Sequence, residues 1–163
     1  MKILSQAGER EVPLTQFFLG QGRTALDCGR EILTQIRFPA LQKNRGGCYL
    51  RLSMRKSLAL PILAVATVVA IEPDKKTITN AAIALGPVAP TPFRASKTEA
   101  GLQNAPVSQG SLEMAAQTAV EESNPRSSLL RGSMEYRKAM VKVFIRRGLS
   151  RALADAGAAA MEV

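Results

Sequence analysis

Hydrophobic and polar positions alternate along the first half of the chain and recur at helical spacing along the second. In residues 48–55 the parity is strict. Cys48, Leu50, Leu52 and Met54 fall on one side, and Tyr49, Arg51, Ser53 and Arg55 on the other. Period 2 predicts a strand with one polar, usable face. Asn44-Arg45-Gly46-Gly47 just before it has the composition of a turn. Residues 58–71 form an apolar run rich in Val, Ile and Ala, read as a central strand or as a strand after a short helical turn. Pro73-Asp74-Lys75-Lys76 is a hairpin-type connection to a further strand over residues 77–85, which Gly86-Pro87 ends. Upstream, residues 31–38 alternate, with Ile32, Thr34, Ile36 and Phe38 on one parity, until Pro39 stops them. Before that, Glu11-Val12-Pro13-Leu14 is a short extended piece, and Gly20, Gly22 and Gly29 make the region loop-rich.

The period changes after Pro92. Ser96 and Glu99 have capping-box spacing and predict a short helix to about Gln103. Ser111 is placed to cap a second helix with Leu112, Ala115, Ala116, Ala119 and Val120 on its apolar face, ended by Asn124-Pro125. Ser133 caps the third and longest, with Glu135 in its first turn. Met140, Val141, Phe144, Ile145, Leu149 and Ala152 make its apolar stripe, and Lys138, Lys142 and Arg146 recur on another face. Gly148 weakens this helix by about 1 kcal/mol relative to Ala, and residues 157–163 are expected to fray. Strands followed by helices give an α+β class: a three-stranded antiparallel sheet with three helices packed on one face.

Composition narrows the chemistry. The 163 residues suffice for one core without staples. Scarce aromatics and the absence of Trp leave that core to Ala, Leu, Val and Ile. With no histidine, a His-containing zinc site, a Ser-His-Asp triad and an imidazole base are excluded within this sequence. Cys28 and Cys48 read as reduced thiols, too few for an iron–sulfur cluster. Lys and Arg number 22 against 13 Asp and Glu, a net charge of +9 that favours an anionic partner. Few, scattered aromatics argue against nucleic acid. The N-terminus has no signal-peptide pattern and the longest apolar run is too short to span a bilayer, so a cytoplasmic protein without a membrane span is expected. Gly20-x-Gly22 lacks the third glycine and the following helix of a dinucleotide loop. Glu121-Glu122 reads as a solvated pair at a helix end. What remains is the strand face carrying Tyr49 and Arg51, read either as an ordinary solvent face or as a wall for a planar, electron-rich or anionic ligand.

Four strings shift that balance. Gly86-Pro87-Val88-Ala89-Pro90-Thr91-Pro92-Phe93-Arg94-Ala95 resembles the G-x-V-A-P-T-P-x-R-A string of the flavin subunits of molybdenum hydroxylases, the carbon monoxide dehydrogenase and xanthine dehydrogenase family. Tyr49-x-Arg51-x-x-x-Arg55 is similar to their Y-x-K-x-x-x-R stretch, and Arg131-x-Ser133-x-x-Tyr136-Arg137 to the R-x-S-x-x-Y-R that opens their last helix. Gly8-Glu9-Arg10-Glu11-Val12-Pro13-Leu14, with Phe17-Phe18 and Glu31-Ile32-Leu33, resembles the close of their FAD-binding domain.

The resemblance implies that residues 1–42 are the end of an FAD-binding domain and that residues 43–163 are the C-terminal domain of such a subunit. It implies a role in passing electrons from an iron–sulfur subunit, fed by a molybdopterin subunit, through FAD to an acceptor. Leu33, Tyr49 and Arg51 take the cofactor-side positions, with Arg51 where relatives often carry Lys. Ala59 stands where many relatives carry an Asp. The glycine-rich segments that hold the FAD pyrophosphate fall before Met1, so FAD binding is expected to need another chain carrying the N-terminal half, and no autonomous activity is expected. The alternative is a docking domain without flavin. Residues 1–39 are expected to expose Phe17 and Phe18, and cleavage is expected near residues 42–45.

Overall fold

The computed structural model describes residues 1–159, which divide into two compact units, Met1–Ala40 and Leu41 onward.

The first unit is a small antiparallel sheet. Strand β1 (Lys2–Ser5) lies between β2 (Gly8–Glu11) and β5 (Glu31–Gln35). A four-residue helix α1 (Leu14–Phe17) leads into the short pair β3 (Phe18–Gly20) and β4 (Arg23–Thr24). Glu31 ties the unit together. Its two carboxylate oxygens accept from Arg10 Nε at 2.7 Å and Nη2 at 2.8 Å, and Oε2 also accepts the Asp27 N–H at 2.9 Å. The Arg10 hydrogen bonds, then that of the Asp27 amide, hold the Glu31 carboxyl at about 2. Two sequence expectations fail here. Phe17 is buried and packs edge-on against half-exposed Phe18, so only one of the two rings shows apolar surface. The strand stops at Gln35, and Ile32, Ile36 and Phe38 are exposed, whereas Leu33 is half-buried opposite fully buried Ile3. Parity located the strand, and the side turned toward Ile3 carries Leu33 rather than the Ile32 parity.

The second unit has the expected α+β plan. Strands β6 (Arg45–Leu52), β7 (Leu63–Ile71) and β8 (Thr77–Gly86) form the antiparallel sheet. Two-residue strands β9 (Phe93–Arg94) and β10 (Ala105–Pro106) add to β8. Helices α2 (Ser96–Leu102), α3 (Gln109–Glu122) and α4 (Met134–Asp155) complete it. Along β7, Leu63, Val65, Thr67, Val69 and Ile71 are buried, and the residues between them are only partly so. That buried face meets α4, which contributes Val141, Ile145, Leu149, Ala152 and Leu153 to one core. Each of the buried Val, Leu and Ile side chains contributes about 1.5–3 kcal/mol.

Local expectations are corrected where tertiary contacts compete. Asn44 holds a left-handed φ of 61°, but Gly46 and Gly47 lie inside β6 rather than in a turn. A Cβ on Gly46 would overlap the backbone of Ala152 and Ala156, so the glycine lets β6 meet the end of α4. Gly148 serves the same purpose mid-helix. A Cβ there would press on Thr67 at 3.2–3.3 Å, and Thr67 Oγ1 donates to the Gly148 carbonyl at 2.9 Å. Residues 58–62 are loop, not strand or helical turn.

The helix caps also differ from the sequence reading. Glu99 makes no capping box with Ser96. Its Oε1 accepts from the Ile83 N–H and from Arg94 Nε, both at 2.7 Å. Ser108, not Ser111, caps α3, and Ser111 is buried. Ser133 caps α4 as read, accepting from the Tyr136 N–H at 3.2 Å. Glu122 is not merely solvated. It reaches the start of α2 and accepts from the Lys97 and Thr98 N–H groups at 2.8 Å each and the Thr98 hydroxyl at 2.7 Å. Residues 157–159 do not fray: Ala158 is buried, and its N–H bonds the Leu153 carbonyl at 2.9 Å. The rest of that expected tail lies outside the described residues.

Candidate functional site

The face of the second unit's sheet turned away from the helices is built from small side chains. Register places Tyr49 beside Ala66 and Ala66 beside Ala84; one step along, Arg51 lies beside Ala64 and Ala64 beside Gly86. Methyl groups and a glycine leave this floor flat. The chain then turns up around it. Leu60 and Pro61 form one wall, and the proline-dense segment from Pro87 to Pro92 forms another. Tyr49 and Arg131 complete the lining of a cleft of about 440 Å³. The lining is predominantly apolar, with few polar groups, the ordinary make-up of a small-molecule site.

The two predicted residues of this unit behave differently. Tyr49 is exposed and lines the cleft. Arg51 projects from the same strand face, and its Nη2 donates to the Ala59 carbonyl. Arg55 likewise reaches back over the loop, its Nε 3.2 Å from the Leu58 carbonyl. At Ala59 it is therefore the main-chain carbonyl that accepts the Arg51 hydrogen bond. Leu33 belongs to the first unit, on β5 opposite Ile3.

Arg137 went unread as a site residue. It is the one buried charged side chain among the described residues. Its guanidinium donates to the carbonyls of Arg126 at 2.8 Å, Ile62 at 3.3 Å, and Pro87. Ile62 and Pro87 follow or open the two walls of the cleft, and Arg126 opens the loop that carries Arg131. One side chain thus fastens three segments around one site. Burial first, then the charges of Arg131 and Arg126, push its pKa below the ordinary arginine value, and no carboxylate offsets them. Its Nε is buried without a hydrogen-bond partner. The signal was present in the Arg131-to-Arg137 string, but helical periodicity describes where a residue sits on a helix and not which distant carbonyls it reaches. Arg131, which lines the cleft, was missed for the same reason.

No group of three or more metal-ligating side chains occurs among the described residues, and no helix among them is long and apolar enough to cross a membrane.

Comparison with known proteins matches residues 48–152 to the family described as the CO dehydrogenase flavoprotein C-terminal domain. The putative xanthine dehydrogenase FAD-binding subunit of Escherichia coli (strain K12) is 30 % identical over 158 residues, covering 96 % of this chain and 53 % of that protein. The carbon monoxide dehydrogenase medium chain of Afipia carboxidovorans is 33 % identical over 149 residues, covering 91 % and 50 %. Among solved structures, carbon monoxide dehydrogenase from Hydrogenophaga pseudoflava superposes with a TM-score of 0.84 at 32 % identity, covering 94 % of this chain and 52 % of that one. Quinoline 2-oxidoreductase from Pseudomonas putida 86 superposes with a TM-score of 0.83 at 27 % identity, covering 96 % and 52 %. The chain spans about half the length of the curated relatives it matches.

Proposed function

This chain belongs to the family of CO dehydrogenase flavoprotein C-terminal domains, and from that premise we propose that it is the flavin-side component of a molybdenum hydroxylase. On this reading electrons pass from iron–sulfur clusters, fed by a molybdopterin subunit, through FAD to an acceptor. The observation that carries the proposal is the flat alanine floor flanked by Tyr49 and Arg51 on one strand face. A planar ring system fits a floor with no side chain larger than methyl.

FAD, when bound, supplies the change between two-electron and one-electron transfer. This chain's own residues would orient and tune it. Tyr49 offers an aromatic ring at the cleft edge. Arg51 keeps a fixed positive charge near the ring, which favours added electron density, and the Ala59 carbonyl limits where its guanidinium swings. Leu33, in residues 1–42, is a further candidate for an apolar contact with the cofactor, on the family resemblance alone. We propose that an N-terminal FAD-binding half, outside the described residues, supplies the pyrophosphate grip. Activity then belongs to the assembly with the iron–sulfur and molybdopterin subunits and not to this chain alone.

The test is a titration of FAD into this chain mixed with a chain supplying that N-terminal half. Stoichiometric quenching of flavin fluorescence, absent with either chain alone, is the expected result. No binding by the mixture would overturn the proposal.

A further inference from the structure

We propose that the turn between Arg126 and Gly132 is a docking knob for a protein partner whose contact surface is apolar at its centre and acidic at its rim. The proposal rests on the reading above, that the chain works as one subunit of an assembly. It concerns a surface that meets that reading's cleft only at Arg131.

The knob carries two adjacent leucines with nothing over them: Leu129 is 107 % and Leu130 83 % exposed. Single exposed aliphatic residues are ordinary, but a contiguous pair at the tip of an ordered turn is not. The turn is built to hold them there. The Ser128 N–H donates to the Gly132 carbonyl at 3.1 Å and the Arg131 N–H to the Ser128 carbonyl at 3.2 Å. The Met134 N–H bonds Ser127 Oγ at 3.0 Å, and Gly132 takes a φ of 88° that an L side chain rarely adopts. From the inside, Arg137 holds the Arg126 carbonyl. Leucines presented by a preorganised turn lose little conformational freedom on binding.

Charge selects the partner. Neither Arg126 nor Arg131 makes an ion pair among the described residues. Buried Arg137 behind them has no carboxylate partner either, so three guanidinium groups share one unneutralised region. Acidic groups around an apolar pocket complement that arrangement. A second copy of this chain would set +9 against +9. A nucleic acid would meet the arginines but gain nothing from the leucines, and no aromatic side chain occurs between residues 125 and 132 to stack on a base. Arg131 also lines the cleft, so a partner seated on the knob reaches the cleft's edge.

The experiment measures binding of the full chain to the iron–sulfur subunit and, separately, the molybdopterin subunit of its complex, at about 50 and about 500 mM salt. Vesicles containing phosphatidylglycerol form a third arm. The variants are Leu129→Ser with Leu130→Ser, and Arg126→Glu with Arg131→Glu. One subunit should bind the wild type, and each double variant should bind it at least about tenfold more weakly at low salt, with unchanged circular dichroism. Only the charge-reversed pair should lose its salt dependence. Wild-type affinity in both variants overturns the knob and leaves the subunit reading intact. Binding of the wild type to neither subunit overturns both. Leucine-dependent binding to vesicles alone overturns the protein partner in favour of a membrane.

Discussion

At the scale of single residues, the site is set by side chains whose partners are far away in sequence. Arg137 reaches Ile62 and Pro87 across 75 and 50 positions. Removing it takes the donor from one buried and two partly buried carbonyls, and an unsatisfied buried group costs about 1–3 kcal/mol. Arg137→Ala is therefore expected to lower stability by about 3 kcal/mol in urea unfolding. Arg137→Lys, a point donor that cannot span the three oxygens, should recover less than half of that loss. Equal stability of all three proteins would mean that the three-way clamp contributes nothing. Strand parity and family resemblance coincide on Tyr49 and Arg51, and the structure puts Tyr49 in the cleft lining with Arg51 on the same strand face. Arg137 was not legible in the sequence, because its role depends on loops brought together only by the folded sheet. Glycine was legible only in part. Turn composition accounts for Asn44, but Gly46 makes room for the backbone at the end of α4, and Gly148 for the Thr67 side chain of β7.

At the scale of elements, alternation and helical period located the three long strands and three helices of the second unit. They failed at ends and caps. Ser111 and Ser96 looked like caps, yet the chain entered α3 from Ser108, and Glu99 was drawn to the Ile83 amide. Cap assignment from sequence assumes that the nearest donor wins; here distant donors offered better geometry. Glu122 shows the consequence for pH. Burial raises its pKa, but the Thr98 hydroxyl and the Lys97 and Thr98 amides outweigh that and leave it below the ordinary 4.5. A carboxylate with a depressed folded pKa stabilises the fold above its unfolded value. That contribution is lost as pH falls below about 4.5 and through the folded pKa. Glu122→Gln should therefore flatten the acid limb of a stability-versus-pH curve while changing little in its shape between pH 6 and 8, roughly the range where both states are ionised. An acid limb identical to the wild type's would show that the contact to α2 carries no stability.

At the scale of the whole molecule, the division into Met1–Ala40 and the unit beginning at Leu41 predicts where a protease enters. Residues 36–42 are all exposed and outside any strand, and Lys43 is exposed beside them. Limited trypsin digestion should cut near residues 42–45 first and leave the second unit as a lasting fragment, seen by mass spectrometry. Uniform digestion, or resistance throughout, would contradict that. The first unit was the less legible of the two. With few large side chains to bury, parity in residues 31–38 did not fix which face turned inward.

The central claim is that the face bearing Tyr49 and Arg51 lies against a flavin. The most direct measurement is the affinity for FAD, with the flavin absorption spectrum, in the protein completed by the N-terminal half. Arg51→Ala and Tyr49→Ala would be compared with Lys138→Ala, on α4. The account predicts that both strand variants weaken FAD binding by at least about tenfold, roughly 1.4 kcal/mol, and shift the flavin bands, while Lys138→Ala changes neither. Wild-type affinity and an unmoved spectrum in both strand variants would contradict it.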